Sequence, residues 1–174
     1  MLKTIETHIK GKSVAVLGFG REGRATLPWV LKAHCASRIA IVDKNPVTLP
    51  EDLKEYSDNI EISTGEDYQK CLNDFDVIFK SPGIAFLDNV KYPDTTEITC
   101  QTDMFLKYAP CKKIGVTGSK GKTTTSTLTY KMLCAGGVDC ELMGNMGLPV
   151  LDYIEEMTED KIAVIEMSSH QLEF

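Results

Sequence analysis

The chain has 174 residues, a formal net charge of −6 and a pI of about 5.1, with 43% hydrophobic and 25% charged residues. That composition is globular and excludes disorder as the leading description. The acidic balance excludes a chain built to coat nucleic acid or an anionic membrane, so any phosphate it binds must be held by local donors.

The first residues, MLKTIETHIKGK, lack the apolar core of a signal peptide. No apolar run approaches the ~18 residues that a membrane span needs. A soluble, cytoplasmic chain without a membrane span is expected. Ser13 to Leu17 (SVAVL) reads as a buried strand, Gly18 to Gly23 as a glycine turn and Arg24 to His34 as a helix. Arg38 to Asp43 predicts a second strand. Glu51 to Tyr56 predicts a short helix, and Ile60 to Ser63 a short strand. Asp76 to Lys80 is a further strand that ends at Ser81-Pro82-Gly83. Strands alternating with helices at this spacing imply crossovers and a parallel sheet.

Lys91 to Thr96, with Pro93 and Asp94, reads as a loop, and Gln101 to Tyr108 as a helix ending before Pro110. A fresh unit then begins, with a boundary near 109–112. Lys113 to Thr117 is a strand, and Thr123 to Ala135 a helix. Val138 to Met143 and Lys161 to Met167 are two more strands, with a helix near Leu151 to Met157 between them. The expected fold class is α/β. A Rossmann-like parallel-sheet domain covers 1–110, and the first part of a P-loop-type α/β ATPase domain covers 111–174. The second unit holds too few strands to cover both faces of its sheet, so a truncated piece of a longer protein is expected. The six cysteines form no C-x-x-C pair, which fits free thiols in a reducing compartment.

The most specific signal is Gly115 to Thr125, GVTGSKGKTTT. A strand running through a glycine loop into a helix is an anion site, because backbone N–H groups and the helix N-terminus converge on phosphate. Gly118 and Gly121 let the backbone curl close to the ligand. Lys122 would reach the β- and γ-phosphates, and the Thr123 hydroxyl would ligate Mg²⁺. The strict pattern asks for glycine at 116, where this chain has Val116. The bland alternative is a helix cap without a ligand, but a cap needs neither two glycines nor Gly-Lys-Thr.

Gly18-Phe19-Gly20-Arg21-Glu22-Gly23 fits G-x-G-x-x-G after a strand, and Asp43 ends the next strand. Taken alone this is the dinucleotide fingerprint and suggests NAD. Glycines placed only for tight strand–helix packing are the alternative. The pattern does not choose between diphosphate nucleotides. Ser81-Pro82-Gly83 is either a plain turn or part of the ligand edge. Gly144-Asn145-Met146-Gly147 reads as a loop. Glu166 ends the last strand, where a carboxylate meets Mg²⁺ in P-loop folds; a solvated strand-end glutamate is the alternative. Trp29, Phe75 and Phe79 are expected in the core, and His170 at the surface.

TGSKGKTTT resembles the ATP loop of the Mur ligase family. GFGREGRAT at 18–26, KSPGI at 80–84, GNMGLP at 144–149 and EMSSHQLE at 166–173 resemble its D-glutamate-adding branch. The resemblance implies that the first domain holds the UDP part of a sugar-nucleotide substrate rather than NAD. Phe19, Gly20, Arg21 and Glu22 would line that site. Asp43 and Lys44 would lie near the uracil or ribose, and Gly83 near the diphosphate or uridine. Asn145 would reach across from the central domain. Gly118, Ser119, Lys120, Gly121, Lys122, Thr123 and Thr124 would hold ATP, with Lys122 catalytic. Thr123 and Glu166 would bind magnesium.

The implied reaction joins D-glutamate to UDP-N-acetylmuramoyl-L-alanine through an acyl phosphate, in peptidoglycan precursor synthesis by a monomer. In that family a carbamylated lysine, a further histidine ligand and the amino-acid-binding domain come after the position of Phe174. The chain alone is therefore expected to be inert. The family often has an aromatic residue where His170 stands. Two rivals remain: the L-alanine-adding branch, and a regulatory module that senses NAD and ATP without catalysis.

Overall fold

A computed structural model describes residues 2–88, 90, 92–145 and 149–173, with side chains from Glu6 onward. Met146, Gly147 and Leu148 of the GNMGLP segment and Lys91 of the predicted loop lie outside the described residues. The chain divides into two compact units, 2–101 and 102–174.

The first unit opens with helix α1 (Leu2–Ile9), which no sequence signal had marked. Strand β1 (Ser13–Leu17) follows, buried at every position. Then come α2 (Arg21–Lys32), β2 (Arg38–Asp43), β3 (Ile60–Thr64), β4 (Val77–Lys80) and β5 (Glu97–Thr99). The five strands form one parallel sheet in the order β3-β2-β1-β4-β5. Side chains on a strand alternate between faces, so two cores result. Val16 and Ile41 join Phe19, Leu27, Leu31, Leu53 and Ile60 on one face. Ala15, Leu17, Ala40 and Val42 join Tyr68, Leu72, Phe75 and Ile78 on the other. A central strand apolar on both sides is what such a sandwich requires. Trp29, Phe75 and Phe79 are all buried.

Several boundaries differ from expectation. Helix α2 begins at Arg21 rather than Arg24, with Gly20 as its N-cap, so Gly23 lies inside the helix and not in the turn. Glu51–Asn59 is a 3₁₀ stretch longer than the short helix read there, and Tyr68–Asp74 is a second 3₁₀ stretch. Strand β5 escaped notice because it has only three residues. It is set by pairing with β4 and by the Glu97 N–H donating to Asp76 O at 2.8 Å.

Helix α3 (Gln101–Tyr108) opens the second unit, whose strand β6 (Lys112–Val116) runs towards α4 (Lys122–Ala135). Strands β7 (Cys140–Gly144) and β8 (Ile162–Glu166) complete a parallel sheet in the order β6-β8-β7. β7 starts at Cys140 rather than Val138 because residues 136–138 still close the helix. Gly137 adopts φ +76°, its N–H donates to Cys134 O, and the Val138 N–H donates to Leu133 O. The helix expected over Leu151 to Met157 is one 3₁₀ turn, Val150–Tyr153. Among the described residues, no helix is long and apolar enough to cross a membrane.

Candidate functional site

In the first sheet the chain order reverses beside β1, and open α/β sheets place ligands at the C-terminal strand edge of such a point. The register sets Leu17 at the end of β1 opposite Val42 on one side and Lys80 on the other. Two segments therefore meet there, Gly18–Gly20 and Ser81–Gly83. The Ser81 N–H donates to Leu17 O at 2.8 Å, and its hydroxyl donates to Gly18 O at 3.0 Å. Gly18 has φ +91°, and its N–H donates to Val42 O.

Asp43 organises the turn. One carboxylate oxygen accepts the Phe19 N–H at 2.7 Å and the other accepts the Asn45 N–H at 2.8 Å. The Phe19 ring is 6% exposed and packs in the core, which leaves its backbone to face the turn. Gly20, Arg21, Lys44 and Gly83 are exposed, and Glu22 is half-buried. These residues share one edge of the sheet.

Sequence reasoning missed two neighbours. Gln101 is 2% exposed, and its side-chain amide donates to Glu22 O and to Thr26 Oγ1 at 2.8 Å. That fixes the first turns of α2 from a residue far along the chain. Lys80 is 5% exposed, with its ammonium 5.8 Å from the Phe86 ring centroid. Its sequence signals were its place at the end of an apolar strand and at the head of the KSPGI segment, neither of which gave it a role.

In the second unit the loop from Thr117 to Gly121 lies at the C-terminal end of β6. Gly118 adopts φ +142° and Gly121 φ +78°, both in the region that favours glycine. Gly121 is the N-cap of α4, so Lys122 opens the helix. The first N–H groups of that helix have no partner within it and point into the loop. Gly118 to Gly121 are exposed, as are Thr123 and Thr124. The Lys122 ammonium folds back and donates to Gly118 O at 2.7 Å.

Glu166 ends β8, beside the loop strand. The register pairs it with Val116 on one side and Gly144 on the other. The solvated alternative is corrected, since the residue is 1% exposed. Asn145 Nδ2 donates to Glu166 Oε1 at 3.2 Å, and the Ser126 hydroxyl donates to Oε2 at 3.4 Å. Ser126 lies one turn beyond Thr123 in α4, and nothing in its local sequence marked it.

Among the described residues, no group of three or more His, Cys, Asp or Glu side chains gathers to hold a metal. One carboxylate with nearby hydroxyl and amide oxygens suits a magnesium ion that arrives with a nucleotide, since Mg²⁺ takes few protein carboxylates and shares phosphate oxygens. It does not suit a resident all-protein cage. His170 is exposed and lies 3.0 Å from Glu173 Oε1, a surface pair.

Residues 12–91 match the model of the Mur ligase MurD-like N-terminal domain, and residues 116–174 match the Mur ligase middle domain. The UDP-N-acetylmuramoylalanine--D-glutamate ligase of Clostridium kluyveri is 38% identical over 170 residues, which are 94% of this chain and 36% of that protein. The Clostridium botulinum ligase of the same name is 37% identical over 172 residues, again 94% of this chain and 36% of the relative. The chain thus spans about a third of the length of the curated relatives it matches. A pseudomurein peptide ligase type C from Methanothermus fervidus superposes with a TM-score of 0.47 at 22% identity, over 91% of this chain and 33% of that one. The chain belongs to the Mur ligase family, with a MurD-like N-terminal domain followed by sequence of the middle domain.

Proposed function

We propose that this chain supplies the UDP-substrate and nucleotide-phosphate sites of an ATP-dependent ligase that adds D-glutamate to UDP-N-acetylmuramoyl-L-alanine. The observation that carries this reading is the open Gly118–Lys122 loop at the start of α4, with the buried Glu166 carboxylate at the end of the neighbouring strand. The loop amides and the N-terminus of α4 receive the phosphates of ATP. Lys122 leaves Gly118 O and neutralises charge on the transferred phosphoryl group. Thr123 and Glu166 would hold magnesium, which would supply further charge neutralisation. Ser126 and Asn145 keep the Glu166 carboxylate aimed.

The reaction runs by attack of the substrate carboxylate on the γ-phosphorus, with ADP leaving. The resulting acyl phosphate is displaced by the amine of D-glutamate through a tetrahedral intermediate, with phosphate leaving. Gly20, Arg21, Glu22, Lys44 and Gly83 line the uridine diphosphate site, and Phe19 and Asp43 shape it. A chain of 174 residues is expected to bind without turning over.

Calorimetric titration tests the assignment. UDP-N-acetylmuramoyl-L-alanine should bind the chain, UMP more weakly and NAD not at all. Binding of NAD without any uridine nucleotide would overturn it and favour a regulatory module.

A further inference from the structure

At the far end of α4 from the phosphate loop, two thiols meet. Cys134 Sγ lies 3.5 Å from Cys140 Sγ, the first at the end of the helix and the second at the start of β7. Cys134 is exposed and Cys140 buried. Cys140 Sγ also lies 3.8 Å from Tyr130 O, and Cys35 and Cys71 turn their thiols to Glu6 O at 3.4 Å and Tyr68 O at 3.5 Å. We propose that Cys134 and Cys140 form a modification site, a dithiol that closes to an intramolecular disulfide when a low-molecular-weight disulfide reaches Cys134.

The connection between them permits closure. The sulfurs must approach to a bond of about 2.05 Å. Residues 135–139 include Gly136 and Gly137, the latter at φ +76°, so the backbone there can absorb the movement. The Cys134 thiolate attacks one sulfur of the reagent, whose S–S bond breaks, and one small thiol leaves. Cys140 loses its proton to solvent and attacks Cys134 Sγ, which expels the second small thiol. Two protein thiols are oxidised to one disulfide and the reagent is reduced to two thiols.

The surroundings set the slow step. The Cys140 thiol is pushed up to about 11, by burial first, then by its hydrogen bond with Cys134 and by the charges of Cys134, Glu141 and Asp139. The Lys161 ammonium lies 3.9 Å from both the Asp139 and Glu141 carboxylates. The exposed sulfur therefore meets the reagent, and the buried one resolves the mixed disulfide slowly at neutral pH.

The test uses the whole chain and glutathione disulfide. Trypsin releases Met132–Lys161, which contains both cysteines and no other. After treatment this peptide should be two hydrogens lighter, and dithiothreitol should restore it. Cys140→Ser should trap glutathione on Cys134, and Cys134→Ser should leave Cys140 unmodified. Closure in the unaltered chain, which needs no variant, should speed up roughly tenfold per pH unit between about pH 7 and 9. A wild-type peptide that stops at the glutathione adduct overturns the proposal. So does a peptide that stays reduced while Cys35 or Cys71 reacts, and so does a flat pH profile.

Discussion

A methyl group placed on Gly23 would lie 1.9 Å from Gly18 O, and one on Gly18 would lie 2.2 Å from Ile84 Cδ1. At Gly121 the same methyl would meet nothing within 4 Å, and at Gly118 only Lys120 O at 3.8 Å. The two glycine turns therefore use the same residue for different reasons. In the first unit Gly23 permits close packing of α2 on the Gly18 backbone and Gly18, at φ +91°, is crowded by Ile84 and Ser81, while Gly20 is open. In the second, glycine permits a left-handed backbone around open space. A turn that is tight against itself leaves its ligand to the residues around it, whereas an open loop offers its own amides.

The largest effect should come from Lys122→Ala in a ligase of the relatives' full length. Phosphate release coupled to D-glutamate addition should fall by about a hundredfold or more, the scale of removing a charge-stabilising donor. Unchanged turnover would remove Lys122 from the role proposed for it. Gly23→Ala comes next. The clash is with backbone, so the first unit should lose about 3 kcal/mol in urea unfolding, while ATP affinity of the second unit stays as it was. Equal damage to both would erase the contrast between the turns.

Gly121→Ala should do the reverse. Its strain comes from φ +78° alone and costs about 1 kcal/mol, but nucleotide affinity should drop several-fold by calorimetry. An unaltered affinity would mean that the loop amides do not carry the phosphates. The smallest effect is expected at Asp76, which sits beside Ser13 at the start of β1, the opposite end of that strand from the glycine turn. Its carboxyl is held below the ordinary carboxylate range by the Ser13 N–H and then the Ser13 hydroxyl, each at 2.7 Å. Because the folded value is depressed, this stabilisation is complete above the unfolded value of about 3.9 and disappears as pH falls through the folded one. Asp76→Asn should slightly destabilise the neutral protein and flatten the acid limb of a pH–stability curve below about pH 4. A mutant curve parallel to the wild type would remove Asp76 from that limb.

Most strands were legible because their apolar runs are continuous and bounded. SVAVL and RIAIVD stand as β1 and β2 with the residues expected of them. Three-residue β5 was not, since its pairing with β4 decides it rather than its composition. Gly18, Gly121 and Glu166 could be singled out from spacing, because turns and strand ends are local. Ser126 and Gln101 could not. Each acts through a long-range bond, to Glu166 and to Glu22 O respectively, that no neighbouring residue announces. The burial of Phe19 was equally hidden, since its position in a turn motif said nothing of where the ring would go.

Among the described residues β6 pairs with β8 only, leaving its other side as the rim of the sheet. Parallel strands end on the same side, and neighbours stand about 4.8 Å apart. Any segment that docks there in the same direction must finish alongside Thr117 and Gly118. Growth of the sheet on that rim would therefore bring its final residue to the glycine loop, wherever in a polypeptide that segment came from.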